Sequence, residues 1–363
     1  MVRNNSTISI ASLSLGSWKH HDLTHRLQEA SKQGFQGVEL FDEDWCQYLK
    51  SHQTYHAYDP WDPTTDNLRV ARQLADEVHK LGMRIICVQP LRQVVGKTDP
   101  IARRESLANA ARIFPFLRAF RTDLTFVCAS IHTGADITSS YAAVTADLRK
   151  LGEMAKAFSA VDGGDTIRIG YEGLSWSDRN TWSSTWEIVR AVNLPNVGLV
   201  VDTFHWLAVE YADPYAASKA GLAYSTIDES QDVLNCSITN FLATVPLDKI
   251  FLLQLSDAEF VDPLHLESIC SPDSPKLQVW SRYHRLFPME HDRGAYLSVV
   301  SIASAIINSG YTGPVSLEVF NSSLHVKHEG VPTEHARRGM DSLRRLFATI
   351  GSPRQEMENE EWE

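Results

Sequence analysis

The chain has 363 residues, 43% of them hydrophobic and 22% charged, with a net charge of −11. That hydrophobic and charged content is ordinary for a soluble globular protein. The acidic balance argues against a nucleic-acid polyanion as partner, because phosphate binding needs clustered Lys and Arg, and no such cluster is present.

Residues Met1–Ser6 lack the apolar core of a signal peptide. No run approaches the roughly 18 consecutive apolar residues of a membrane span, so a cytoplasmic protein without a membrane partner is expected. Five cysteines are scattered without a close pair and read as reduced thiols. Cys87 and Cys128 fall inside apolar runs and read as core filler. The first β-rich apolar run is 8–15, with an amphipathic stretch at 25–30 behind it. A second strand at 37–41 carries Glu39, and residues 42–63, rich in Trp, Tyr, His and Asp, read as a long loop after it. Helix 64–81, strand 84–89 ending in Gln89, helix 102–120 and strand 125–131 with His132 just beyond it come next. Glu39, Gln89 and His132 are polar groups at strand ends, able to hold substrate hydroxyls or to tie down adjacent loops. Substrate contact is the favoured reading.

The second half carries the sharper pattern. Helix 139–159 leads to strand 167–172, ending in Glu172; helix 181–192 leads to strand 197–203, carrying Asp202. Helix 229–243 precedes strand 249–255 with Gln254, and helix 296–309 precedes strand 314–319 with Glu318. Gly34, Gly82, Gly152 and Gly310 fall where helices are expected to end. Eight strand–helix units in succession, without a Gly-rich first turn, predict a (β/α)8 TIM barrel as a single domain over residues 1–350. Loops after strands lie on its catalytic face, so the long segments 205–228 and 256–295 are expected to shape a pocket there. Residues 351–363 are acidic and aperiodic, and read as a disordered tail.

An acid or amide at the end of a buried strand costs stability unless something charged meets it. One divalent cation held by Glu172, Asp202, Gln254 and Glu318 accounts for all four, and the donor set suits Mg²⁺, Mn²⁺, Co²⁺ or Zn²⁺. His205, three residues after Asp202, reads either as an acid/base beside that ion or as a hydrogen-bonded loop histidine. The segment 282–296 packs basic residues into an acidic protein. A carboxylate substrate needs a guanidinium clamp, for which Arg285 and Arg293 are the candidates, with surface ion pairing to Glu290 and Asp292 as the alternative. Pairing of two copies through the long face loops is a further expectation.

The barrel with these groups on its last four strands resembles the xylose-isomerase-like superfamily of sugar isomerases and epimerases. More narrowly, the sequence resembles the fungal 3-dehydroshikimate dehydratases of quinate catabolism. The likeness runs from about Ile8 to Leu346 and rests on Gly37–Phe41, Tyr171–Ser177, Val201–Phe204, Asp292–Leu297 and Ser316–Asn321. It implies metal-dependent conversion of 3-dehydroshikimate to protocatechuate and water, with Glu172, Asp202, Gln254 and Glu318 on the metal. It further implies proton transfer by His205, with Glu172 and Glu318 essential, and help from the Arg293 loop in holding the substrate carboxylate. Gln254 departs from the superfamily, many of whose members place His there. A ketose isomerase or epimerase, a dehydratase of a secondary-metabolite precursor, and a non-catalytic metabolite sensor are the competing readings.

Overall fold

A computed structural model describes residues 6–52, 59–131, 134–216, 221–270 and 274–351. Eight parallel strands close into a barrel: β1 (Ile8–Ala11), β2 (Gly37–Phe41), β3 (Arg84–Leu91), β4 (Leu124–Cys128), β5 (Arg168–Glu172), β6 (Val197–Asp202), β7 (Ile250–Leu255) and, after a short antiparallel pair of β8 (Asp257–Ala258) with β9 (Arg285–Leu286), β10 (Val315–Leu317). Closure comes from β1, which pairs with β2 through Ser9 and Gly37 and with β10 through Ile8 and Val315. The barrel strands are apolar on both faces, as parallel strands covered by helices require. Runs such as Ile85–Val88 and Ile250–Leu253 are buried throughout.

Local signals start and stop the helices. Thr64 caps helix Thr65–Lys80 by accepting the Asn67 N–H, and Asp99 caps Pro100–Ala111 by accepting that of Ala102. Thr181 and Ser184 form a reciprocal capping box on Trp182–Val192. Gly34 ends the first helix, Leu23–Gln33, in the left-handed conformation. Gly152 does not end its helix, which runs on to Asp162 and stops at Gly163 with φ 73°. A Cβ at Gly152 would lie 2.6 Å from Val197 Cγ2, so this glycine serves close packing of the helix on β6.

Several boundaries differ from the sequence reading. Strand β1 ends at Ala11 and gives way to a 3-10 turn at Ser12–Leu15. The segment after β2 is not simply a loop: Asp42–His52 is helical because Trp45, Tyr48 and Leu49 supply a buried face. The segment after β6 begins as helix Thr203–Glu210, and that after β7 contains helices Pro263–Ile269 and Lys276–His284. A long amphipathic helix, Val331–Gly351, packs on the first helix, Leu23–Gln33, and completes the outer ring. The tail beyond Gly351 lies outside the described residues.

Two apolar clusters divide the interior. The larger lies between strands and helices. The smaller gathers Ile86, Leu124, Phe126, Cys128, Val200, Phe251 and Leu252, with Leu174 and Trp176 at one end. Cys128, Leu174 and Trp176 also line a cavity at the carboxyl ends of the strands, so the second cluster forms its floor.

Candidate active site at the barrel mouth

The cavity has a volume of about 160 Å³ and takes in Gln89, Cys128, Glu172, Trp176, His205, Arg282, Arg285 and Glu318. That volume is small beside the roughly 300–1,000 Å³ of pockets for drug-sized ligands, and suits a single-ring molecule.

Strand β6 delivers His205 to the cavity wall and Asp202 beside it by one local device. Asp202 is both the last residue of the strand and the N-cap of helix Thr203–Glu210, accepting the Phe204 N–H at 2.8 Å through Oδ1. Its Oδ2 is thereby turned to the interior, and His205 is carried on the first turn of the helix. The ligand atoms of Glu172, Asp202 and His205 lie within 4.8 Å of one another, all buried. Glu318, just past β10, meets Asp202 through one guanidinium. Arg285 Nη1 donates to Asp202 Oδ2 at 2.7 Å and to Glu318 Oε2 at 3.2 Å.

Behind them lies a second layer. The side-chain amides of Gln89 and Gln254 each donate to Glu39 Oε2 and to Glu318 Oε1, at 2.8 to 3.2 Å. Glu39 is wholly buried and does not line the cavity. The structure therefore gives it no route to a substrate hydroxyl: it braces Gln254 and Gln89 instead. Gln89 does reach the cavity wall. His132 lies outside the described residues.

Arg285 and Arg293 part company. Arg285 is buried in the acid cluster, its Nε on Ser281 and its Nη2 facing His205 Nε2 at 3.1 Å. Arg293 is 43% exposed, pairs with Glu334 and Glu290, and is absent from the cavity wall. The cause is the anchoring of its loop. Glu290 forms a two-bonded ion pair with Arg338 of the last helix, and Asp257 accepts the N–H groups of Tyr296 and Leu297. These contacts turn Arg293 outward, so its expected place in a carboxylate clamp is not met.

Of the lining residues that the sequence did not single out, three touch the acids, His205 or the aromatic wall. Cys128 is not mere core filler: its thiol donates to Glu172 Oε2 at 3.1 Å. Trp176 packs edge-on to His205 at 4.9 Å between ring centres. Arg282 lies 4.2 Å over the Phe320 ring. Its place in the basic segment 282–296 was the available signal.

The electrostatics are those of a crowded acid site. Burial, helped by the charge on Glu318, pushes Glu39 up to about 8. Burial, then Glu318 and Asp202, raises Glu172 well above the usual carboxylate range, and burial raises Glu318 against the pull of Arg285. For Asp202 burial acts upward, but the charge and hydrogen bond of Arg285, with the Phe204 N–H, hold it below its ordinary value. Burial drives His205 down to about 3, so its imidazole is neutral. Both ring nitrogens face N–H donors, Ser175 N at 3.1 Å from Nδ1 and Arg285 Nη2 at 3.1 Å from Nε2. A neutral imidazole has one acceptor nitrogen. The contacts thus favour the neutral ring over the imidazolium.

The donor set fits a divalent cation. Glu39, Glu172, Asp202 and Glu318 are buried with one buried guanidinium, Arg285, so they cannot all ionise without a further cation. Gln254 Oε1 is buried and has no hydrogen-bond partner among the described residues, and neither has Glu39 Oε1. Uncompensated buried charge and orphaned oxygens are costly in isolation. Both are what an oxygen-seeking ion would relieve.

Residues 27–346 match the family described as xylose isomerase-like TIM barrel. The 3-dehydroshikimate dehydratase of Neurospora crassa is 30% identical to this chain, over 96% of this chain and 95% of its own. The Pseudomonas aeruginosa protein of that name is 31% identical over 93% of this chain, which spans only 41% of that longer protein. Among solved structures, a xylose isomerase-like TIM barrel/4-hydroxyphenylpyruvate dioxygenase fusion protein superposes with a TM-score of 0.66 at 27% identity, covering 95% of this chain and 43% of that one.

Proposed function

The chain belongs to the xylose isomerase-like TIM barrel family, and from that premise we propose that it dehydrates 3-dehydroshikimate to protocatechuate, a carbon–oxygen lyase reaction, as a single barrel domain. One observation carries the choice of substrate: the likeness to a fungal 3-dehydroshikimate dehydratase extends over 95% or more of both chains. The small cavity with acids, a neutral histidine and guanidinium groups on its wall suits a ring that bears a carboxylate.

Glu172, Asp202, Gln254 and Glu318 would hold a divalent ion. When bound, such an ion supplies electrophilic polarisation of the substrate ketone. The chain's own groups do the rest. The imidazole of His205, neutral because it is buried, accepts the proton from the ring carbon between the ketone and the departing hydroxyl. Asp202 Oδ2, 3.5 Å from Nε2, stabilises the imidazolium so formed. The same proton returns to the hydroxyl as the C–O bond breaks, and water leaves. Enolisation then yields the aromatic ring, whose formation makes the reaction irreversible. Ser175 holds the ring of His205 through both its N–H and its hydroxyl, at 3.1 and 3.2 Å. Trp176 covers it and limits access of water.

The partner is a small carboxylate molecule. No helix among the described residues is long and apolar enough to cross a membrane. Five free thiols suit the reducing cytoplasm.

The test is to strip the protein of metal, reload it separately with Mg²⁺, Mn²⁺, Co²⁺ or Zn²⁺, add 3-dehydroshikimate and follow aromatic absorbance. Metal-dependent appearance of protocatechuate is expected. A protein that binds metal yet forms no aromatic product with any ion would overturn the proposal.

A further inference from the structure

We propose that Arg282 is the receptor for the substrate carboxylate, and that Arg285, committed to the acid cluster, is not. The inference rests on the reading above only in that the substrate is a ring bearing a carboxylate.

Three arginines line the cavity: Arg92, Arg282 and Arg285. A guanidinium has five N–H donors and no acceptor, so its capacity can be counted. On Arg285, Nη1 is shared among Asp202, Ser256 and Glu318, Nη2 faces His205, and Nε donates to Ser281. Its charge is already set against two carboxylates. A third anion there would have to displace one of them. Arg92 at the rim is held by Glu43 and Asp42. Arg282 has no hydrogen-bond or ion-pair partner among the described residues. Its guanidinium instead lies 4.2 Å over the face of Phe320 and 5.8 Å from the Trp176 ring centre. A cation spread on an aromatic face is fixed in plane while its N–H edge stays free, which is the geometry that meets a carboxylate with two parallel bonds. Gln278, one turn earlier on the same helix, also lines the cavity and can add an amide donor.

This assignment orients the substrate. On the ring of 3-dehydroshikimate the carboxylate and the carbon that loses its proton are in a 1,4 relation, at opposite ends. Trp176 lies against both Arg282 and His205. A ring anchored by its carboxylate on Arg282 extends along Trp176 and presents the far carbon to His205. Arg282 is thus a specificity-determining residue, and Arg285 a positioning residue for Asp202, Glu318 and His205.

The experiment measures binding of two ligands to the metal-loaded enzyme by calorimetry: protocatechuate, and catechol, the same diol ring without the carboxylate. Loss of a charged partner inside a cavity costs about 10- to 100-fold in affinity. Arg282→Gln should weaken protocatechuate by that factor and leave catechol unchanged, with Arg282→Lys restoring part of the loss. With 3-dehydroshikimate, KM should rise more than kcat falls. Equal protocatechuate affinity in wild type and Arg282→Gln would overturn the proposal, as would an equal loss for both ligands. Benzoate against phenol separates this failure from that of the function. If the wild type makes no protocatechuate but binds benzoate in an Arg282-dependent way, the clamp stands and the dehydratase reading falls. If it binds no ring carboxylate, both fall.

Discussion

The two ends of this barrel handle charge in opposite ways. At the amino-terminal end, Arg168, Arg118 and Arg121 each meet an aspartate, Asp123, Asp162 and Asp76, at positions a quarter to a half exposed. Each charge is matched and wet, so the region gains little and risks little. At the carboxyl end, four buried carboxylates face one buried guanidinium, Arg285, which reaches only Asp202 and Glu318. Burying unmatched like charges opposes folding, and a folded chain that keeps them needs a reason beyond stability. The contrast locates the chemistry without reference to any relative.

The largest expected effects are at the mouth. Glu172→Gln and Glu318→Gln should each lower kcat/KM about a thousandfold or more, since a metal contribution of several kcal/mol converts to that factor. In the metal-free state the same variants should melt at or above the wild-type temperature, because a buried charge has been removed. Activity assays paired with melting curves check both; a variant that loses stability and activity together would mean that the carboxylates are structural, and the contrast between the ends would fail. His205→Asn follows, with an expected fall of about 10²- to 10⁴-fold and little change in metal affinity if the histidine serves as base rather than ligand.

Removing the ion should expose the imbalance as pH dependence. Glu39 is raised to about 8, and Glu172 and Glu318 are raised as well, mainly by burial. Groups with raised folded pKa values hold more protons folded than unfolded, so stability falls as pH rises. The window opens near the ordinary value of about 4.3 for glutamate and extends to about 8 for Glu39. Asp202, held low, acts in the opposite sense, adding stability above its unfolded value that is lost in acid. Three raised groups outweigh it. The metal-free protein should therefore melt lower at pH 8 than at pH 5, and added Mn²⁺ should raise the melting temperature more at pH 8. A melting temperature that rises from pH 5 to 8 without metal would refute this account of the acid cluster.

The same contrast explains what could be seen in the chain alone. Strand ends carrying Glu172, Asp202, Gln254 and Glu318 were visible because an acid after a buried apolar run breaks a simple pattern, and eight such runs set the barrel. Arg285 and Arg293 read alike as clamp candidates and Arg282 was passed over, because which guanidinium turns inward depends on tertiary anchors: Glu290 on Arg338, and Asp257 on the backbone of Tyr296 and Leu297. Glu39 looked like a substrate ligand because strand position does not reveal depth; only the amides of Gln89 and Gln254 stacked above it do. Cys128 read as apolar for the same reason, its neighbour Glu172 lying on the next strand.

The smallest effect belongs to the amino-terminal end and is the sharper control. Arg168 and Asp123 form a two-bonded pair at 2.8 and 2.9 Å, each a third exposed. Pairs of this kind contribute about 0–1 kcal/mol, because water screens them and ordering both side chains costs entropy. Arg168→Gln should lower the melting temperature by about 2 °C or less, and Asp123→Asn in the same chain should add little, since the partner charge is then already absent. Turnover of 3-dehydroshikimate should be unaffected by either change, and raising the salt concentration should shrink the stability loss. If Arg168→Gln instead slows turnover severalfold at unchanged stability, the two ends are coupled through the barrel interior, where the Arg168 guanidinium rests 5.3 Å from the Phe251 ring centre, and the charge at the mouth is not set by the mouth alone.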